Sequence, residues 1–109
     1  MIQDAHSAKI SIPVSAGPGE EVVIPAHVDA WIYIHELIGD LNVTGTLTVL
    51  CGAVIKGTWN LDAGQGITLG DEPGNDGVPR FECKPGENFT LALSAGSTFT
   101  GSVDYSLRF

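Results

Sequence analysis

Three histidines are the residues of this chain that are best suited to acid–base or metal chemistry. His6, His27 and His35 lie on three separate segments, and their spacing fixes no ligand geometry for a metal ion. The chain also has no Gly-x-Ser-x-Gly elbow or other nucleophile signature. The sequence therefore predicts a protein that is not an enzyme and holds no cofactor. A small β-sandwich enzyme remains an alternative if the fold gathers His27, His35 and an acid into one pocket.

An acidic stretch at residues 71–77, Asp-Glu-Pro-Gly-Asn-Asp-Gly, offers the oxygen ligands that calcium prefers. It does not match a helical calcium loop, because Pro73 stands where a ligand belongs and Asp76 takes the position of the turn glycine. No helical pattern flanks it. We interpret it as an acidic surface loop without a metal.

Cys51 and Cys83 are the two cysteines of the chain, and they form no C-x-x-C motif. A bond between them would stabilise the fold by roughly 3 to 4 kcal/mol through loop closure. The start of the chain has no basic and apolar secretory signal, which indicates synthesis in the cytoplasm, where thiols stay reduced. We therefore expect two free, buried thiols.

Large aromatic side chains are the remaining candidates for a binding site. Trp31, Tyr33 and His35 alternate with Ile32 and Ile34, so a strand here would carry bulky side chains on both faces. Together with Trp59, the aromatic residues fit either a packed core or subunit interface, which we favour, or a platform that stacks on sugar rings.

Alternating apolar residues and frequent turn residues position these side chains on strands rather than helices. Nowhere in the chain do apolar residues recur at helical spacing for three turns. Gly39-Asp40 is expected to end the central strand, and Pro13 marks its strand as an edge. The predicted strands are residues 8–14, 20–25, 30–38, 42–51, 53–61, 67–69, 80–84, 88–95 and 97–109. Eight or nine short strands predict an all-β fold, an antiparallel β-sandwich of jelly-roll type, with a barrel as the competitor.

The length and charge of the chain limit the classes of partner that it can bind. One domain is expected over residues 8–109, preceded by a flexible arm at residues 1–7. A net charge of −8 argues against nucleic acid as a ligand, and no apolar run approaches the length of a membrane helix. Only 17% of residues are charged, against about 25% in typical domains, which is expected where other subunits cover part of the surface.

From Trp31 onward the chain resembles small phage virion structural proteins of the β-sandwich kind, the capsid decoration (cement) type. The segments that carry the resemblance are Ile32-x-Ile34-His35-x-Leu37, Thr58-Trp59-Asn60-Leu61-x-Ala63-Gly64-x-Gly66-Ile67, Phe81-x-Cys83, Lys84-Pro85-Gly86-Glu87-Asn88-Phe89-Thr90-Leu91 and Thr100-Gly101-Ser102-Val103-Asp104-Tyr105.

The resemblance implies a non-enzymatic protein that binds the assembled shell of a major capsid protein and stabilises it by mass action. It implies a homo-oligomer, with a trimer as the expected form, located on the virion surface after synthesis in the host cytoplasm. The alternative is a carbohydrate-binding module or a phage fibre or tail domain. The expected partner and subunit contacts are Trp31, Tyr33, His35 and, in the arm, Ile2, Gln3 and Asp4.

Overall fold

A computed structural model describes residues 8–70 and 78–109, which form antiparallel β-strands joined by turns. Residues 1–7 and the acidic loop at residues 71–77, on which two of the predictions fall, lie outside the described residues. The strands are β1 (Ile10–Ala16), β2 (Gly19–Ile24), β3 (Trp31–Leu41), β4 (Gly45–Cys51), β5 (Val54–Leu61), β6 (Gly66–Leu69), β7 (Phe81–Cys83), β8 (Phe89–Leu93) and β9 (Phe99–Arg108).

Two sheets face each other as a sandwich. The five-stranded sheet has the order β1-β9-β3, and both β6 and β7 pair with the free side of β3. The four-stranded sheet has the order β2-β8-β4-β5. The chain crosses repeatedly between the sheets, which is the jelly-roll connectivity, and this confirms the predicted fold class. Within the described residues, no helix is long and apolar enough to cross a membrane.

The core lies between the sheets and is built from the alternation that the sequence predicted. Inward residues of the four-stranded sheet, such as Leu47, Val49, Phe89 and Leu91, are fully buried. They meet the inward residues of β3 and β9 from the opposite sheet. β1 is an edge strand, as Pro13 predicted, because it pairs with β9 alone.

The central strand β3 is longer than the sequence predicted. Gly39 and Asp40 do not end it, and pairing continues to Leu41. Gly39 lies opposite Gly101 of β9, and a side chain at Gly39 would collide with the ring of Phe99. The neighbouring strands therefore hold this glycine in the ladder, although glycine usually weakens an isolated strand.

A β-bulge lies at His35, where the pairing of β3 with β9 shifts between Ile34 and Glu36. Before the bulge the even-numbered residues point into the core, and after it the odd-numbered ones do, beginning with Leu37. Both halves of β3 therefore bury apolar side chains, although they differ in phase.

Cys51 and Cys83 form a disulfide bond, so the expectation of free thiols was wrong. Cys51 ends β4 and Cys83 ends β7, and both side chains point inward from opposite sheets. Their Cα atoms lie 5.0 Å apart, within the range that a disulfide requires. The compartment of synthesis, on which that expectation rested, gives no indication of how closely the two sheets approach each other at these cysteines.

Candidate functional site

The outer face of the five-stranded sheet carries Trp31 and Tyr33, the aromatic residues predicted for a partner contact. Tyr33 pairs with Ser106 on one side and with Glu82 on the other, and Trp31 pairs with Arg108. The Arg108 guanidinium donates a hydrogen bond of 2.6 Å from Nη1 to the Tyr33 hydroxyl. Trp31, Tyr33, Glu82 and Arg108 line a cleft of about 340 Å³, the Tyr33 cleft.

Burial raises the pKa of the Tyr33 phenol, and the nearby Glu82 carboxylate raises this pKa further. Both effects disfavour the phenolate, because it would lose hydration and face a like charge. The phenol therefore keeps its proton to a higher pH than an ordinary tyrosine does.

His35 is buried on the same outer face. Its Nε2 atom lies 2.8 Å from the Ser106 hydroxyl in a hydrogen bond, and the residue is only 8% exposed. His27 has different surroundings, since its ring packs edge-on against Phe109 and its Nδ1 accepts a hydrogen bond from the Asp29 backbone. In the described part of the chain, no group of three or more His, Cys, Asp or Glu side chains could hold a metal ion.

A second concave surface lies on the open side of the sandwich, between the edge strands β5 and β7. It is a groove of about 490 Å³ that we call the cationic groove. Three of the five Lys and Arg residues of the chain line it, together with both of its tryptophans. Its lining residues are Trp31, Lys56, Trp59, Val78, Pro79, Arg80, Phe81, Glu82 and Lys84.

Local strand geometry explains how the groove is built. Arg80 precedes β7 and Lys84 follows it. Because Phe81 and Cys83 point inward, the two-residue period turns Arg80 and Lys84 outward. The Arg80 guanidinium lies over the Phe81 ring, 5.8 Å from the ring centre. Lys56 occupies a bulge between β4 and β5, where the pairing shifts next to Gly57.

Trp59 closes the inner side of the groove. Its ring meets Phe81 edge to face with ring centres 6.2 Å apart, which links β5 to β7 across the two sheets. The ring also lies over Gly57, since a side chain at that glycine would collide with it. Trp59 is therefore half-buried on the inner side of β5, whereas Trp31 and Tyr33 lie on the outer face of the other sheet.

The outer face of the four-stranded sheet is almost free of charge, and we call it the uncharged face. Val22, Thr90, Leu50 and Ile55 form one continuous row across its strands. The next row is Glu20, Ala92, Thr48 and Thr58, followed by the pair Thr46 and Asn60. By contrast, the outer face of the five-stranded sheet carries Glu36, Asp40, Glu82 and Asp104.

The structure brings Trp31, Tyr33 and His35 together on one face, as the sequence predicted, while Ile2, Gln3 and Asp4 lie outside the described residues. The clustering of Lys56, Arg80 and Lys84 was not predicted from the sequence. The alternation of Arg80 and Lys84 about Phe81 and Cys83 could have indicated a charged strand face. Lys56 joins them only through the packing of β5 beside β7.

No protein-family model and no curated protein matches the chain. Among solved structures, the chain is similar to a protein of Bacillus endospore appendages, which are described as a novel family of disulfide-linked pili. The two chains are 16% identical with a TM-score of 0.53, over 98% of this chain and 89% of the other. At this identity the likeness supports the sandwich fold and carries no function.

Proposed function

We propose that this protein is a non-enzymatic structural subunit of a multi-copy assembly, and specifically a capsid decoration protein that binds an assembled major capsid shell. The observation that carries the proposal is the uncharged face of the four-stranded sheet. Among its outward positions in register, Glu20 is the one charged residue, and Lys56 is unpaired in the bulge beside Ile55.

Burial of this face against another protein has little electrostatic cost. A solvated sheet face usually carries charged residues, whereas this face consists mainly of threonines and aliphatic residues. Val22 and Ile55 are 47% and 63% exposed, and they flank Leu50 and Thr90, which are already shielded. The acidic outer face of the other sheet would remain in solvent and keep the particle soluble.

The mechanism is mass action. A protein that binds only the assembled shell stabilises that shell by its binding free energy, and an oligomer with several contacts raises the effective affinity. Trp31, Tyr33 and His35 remain a predicted subunit contact on the opposite face. Trp31 and Tyr33 would provide its accessible part through the Tyr33 cleft, because His35 is already buried. This contact would allow copies to associate with each other while the uncharged face binds the shell.

The disulfide between Cys51 and Cys83 supports a role outside the reducing cytosol. A virion component made in the host cytoplasm would form this bond after release, and the bond would then strengthen the particle in the environment.

The test is co-sedimentation with shells assembled from the major capsid protein of the same virus. We expect Ile55→Lys to reduce the bound fraction at least tenfold, because it places a charge into the apolar row. Ile38→Lys is the matched control, since Ile38 is also an exposed strand isoleucine, at 42%, but on the five-stranded sheet. Circular dichroism and light scattering of both variants verify folding and oligomeric state.

Equal binding by the two lysine variants would place the shell contact elsewhere. Failure of the unaltered protein to pellet with assembled shells would reject the decoration function itself.

An appendage subunit is the second candidate, favoured by the fold likeness to the pilus protein. This function predicts filaments of the purified protein, visible by electron microscopy without any capsid. Both cysteines of the sequence are already paired within one chain, so such filaments would have to be held by noncovalent contacts. Filaments that separate only after reduction would require exchange of this disulfide.

A further inference from the structure

The distribution of positive charge is unequal in this acidic protein. Lys56, Arg80 and Lys84 line the cationic groove, while Lys9 and Arg108 are the two other cations of a chain with net charge −8. Within the described residues, none of the three groove cations is held in an ion pair. Lys56 and Lys84 are exposed and Arg80 is half-buried, so their charged groups are accessible to an anionic ligand. Glu82 is the one acidic residue among the described lining residues.

The groove also contains both tryptophans of the chain, and each is half-buried. Trp31 reaches the groove from the five-stranded sheet and Trp59 reaches it from the four-stranded sheet. Indole rings stack on the apolar faces of sugar rings while polar groups around them bind hydroxyls. Glu82 lines the same groove and supplies a hydrogen-bond acceptor.

We propose that the cationic groove binds an anionic carbohydrate, a chain of sugars that carry carboxylates, between the indole rings of Trp31 and Trp59. Lys56, Arg80 and Lys84 pair with the carboxylates, and the tryptophans contact the sugar rings. The groove volume of about 490 Å³ lies within the range of small-molecule sites.

The walls of the groove are held in place before any ligand binds. The disulfide at Cys83 fixes β7 to the four-stranded sheet, and the Trp59 contact with Phe81 holds β5 beside it. The Phe81 ring further restricts the Arg80 guanidinium. Preorganised walls lower the entropic cost of binding.

A carbohydrate fits these observations better than an acidic protein segment or a nucleic acid. The net charge of −8 repels a polyanion at long range, whereas a short oligosaccharide needs only the few cations of the groove. An acidic segment from a second copy would satisfy the lysines, but it would not require the indole surfaces that line the groove.

Tryptophan fluorescence tests the proposal directly, because both indole rings of the protein line the groove. An oligoglucuronate is the probe, and a neutral glucose oligosaccharide of equal length is the comparison. We expect the oligoglucuronate to bind at least tenfold more tightly than the neutral sugar, as measured by the change in emission. Added salt should weaken this binding.

The double variant Lys56→Gln and Arg80→Gln should weaken oligoglucuronate binding at least tenfold, because charge-assisted hydrogen bonds are lost. Lys9→Gln is the matched control, since this exposed lysine is not among the groove residues. It should bind as the unaltered protein does.

Four outcomes would overturn the proposal. The first two are no emission change with millimolar oligoglucuronate and equal affinity for the neutral sugar. The third is displacement of oligoglucuronate by inorganic phosphate at an equal concentration of charge. The fourth is an emission change that depends on the protein concentration and not on the ligand concentration. The last would indicate that a second copy fills the groove. The capsid function is tested separately at Ile55 on the uncharged face, so either proposal can fail without the other.

Discussion

At the scale of single residues, the groups around the Tyr33 phenol have opposite effects on its pKa. Arg108 donates a hydrogen bond to the Tyr33 hydroxyl, and Glu82 lies on the neighbouring strand. Burial and the Glu82 charge prevail and raise the Tyr33 pKa. A raised pKa means that the folded state binds the phenol proton more tightly than the unfolded chain does. This contribution to stability is complete below the unfolded pKa of about 10 and is lost as pH rises through the folded value.

Glu82→Gln should lower the Tyr33 pKa, because it removes the like charge while the burial remains. The measurement is the phenolate absorbance during a pH titration of the folded protein. Tyr33→Phe identifies the Tyr33 transition, since Tyr105 is the other tyrosine of the sequence. An unchanged Tyr33 transition in the Glu82→Gln variant would mean that the carboxylate is too well screened to matter.

At the scale of elements, the pairing of β3 with β9 depends on two facing glycines. Gly39 and Gly101 are directly opposite, and the Phe99 ring covers Gly39. A methyl group at Gly101 would collide with the Ile38 carbonyl oxygen and the Gly39 backbone. The conflict involves backbone of the central strand, which cannot move aside as a flexible side chain could.

Gly101→Ala should therefore destabilise the protein by about 1 to 3 kcal/mol, the typical cost of overpacking. Gly17→Ala is the control, because nothing lies within 4 Å of a side chain placed at Gly17. Urea unfolding followed by circular dichroism compares the two variants. Equal stability of both would show that β3 and β9 separate at this point at little cost.

At the scale of the whole molecule, the disulfide joins the two sheets across the core. It closes a loop between positions 32 residues apart, and both cysteines are fully buried. The bond connects β4 to β7, a short strand whose sheet pairing is confined to β3. It therefore holds the wall of the cationic groove as well as the sandwich.

Reduction of this bond should lower the free energy of unfolding by roughly 3 to 4 kcal/mol on the loop-entropy estimate. Urea unfolding with and without a reductant measures the loss. The double variant Cys51→Ala and Cys83→Ala should unfold near the reduced protein and should not respond to the reductant. Thiol titration of the non-reduced, denatured protein should find no free thiol, and two reactive thiols would refute the bond.

The sequence by itself determined the fold class and most strand positions. Alternation of apolar and polar residues is a local property, and it located strands such as β4 and β9 because one face of each must be buried. Pro13 identified an edge because proline lacks a ladder donor. The common face of Trp31 and Tyr33 followed from the same two-residue period.

The tertiary structure alone decided the features that join distant segments. Gly39 stays within β3 because of Gly101 and Phe99, which come about sixty residues later and are invisible to a local pattern. The disulfide and the gathering of Lys56 with Arg80 and Lys84 likewise require β4 and β5 to meet β7 from the opposite sheet. Which residues of one sheet lie next to which residues of the other depends on the strand topology and the sheet twist. The two-residue period of a single strand contains no information about either.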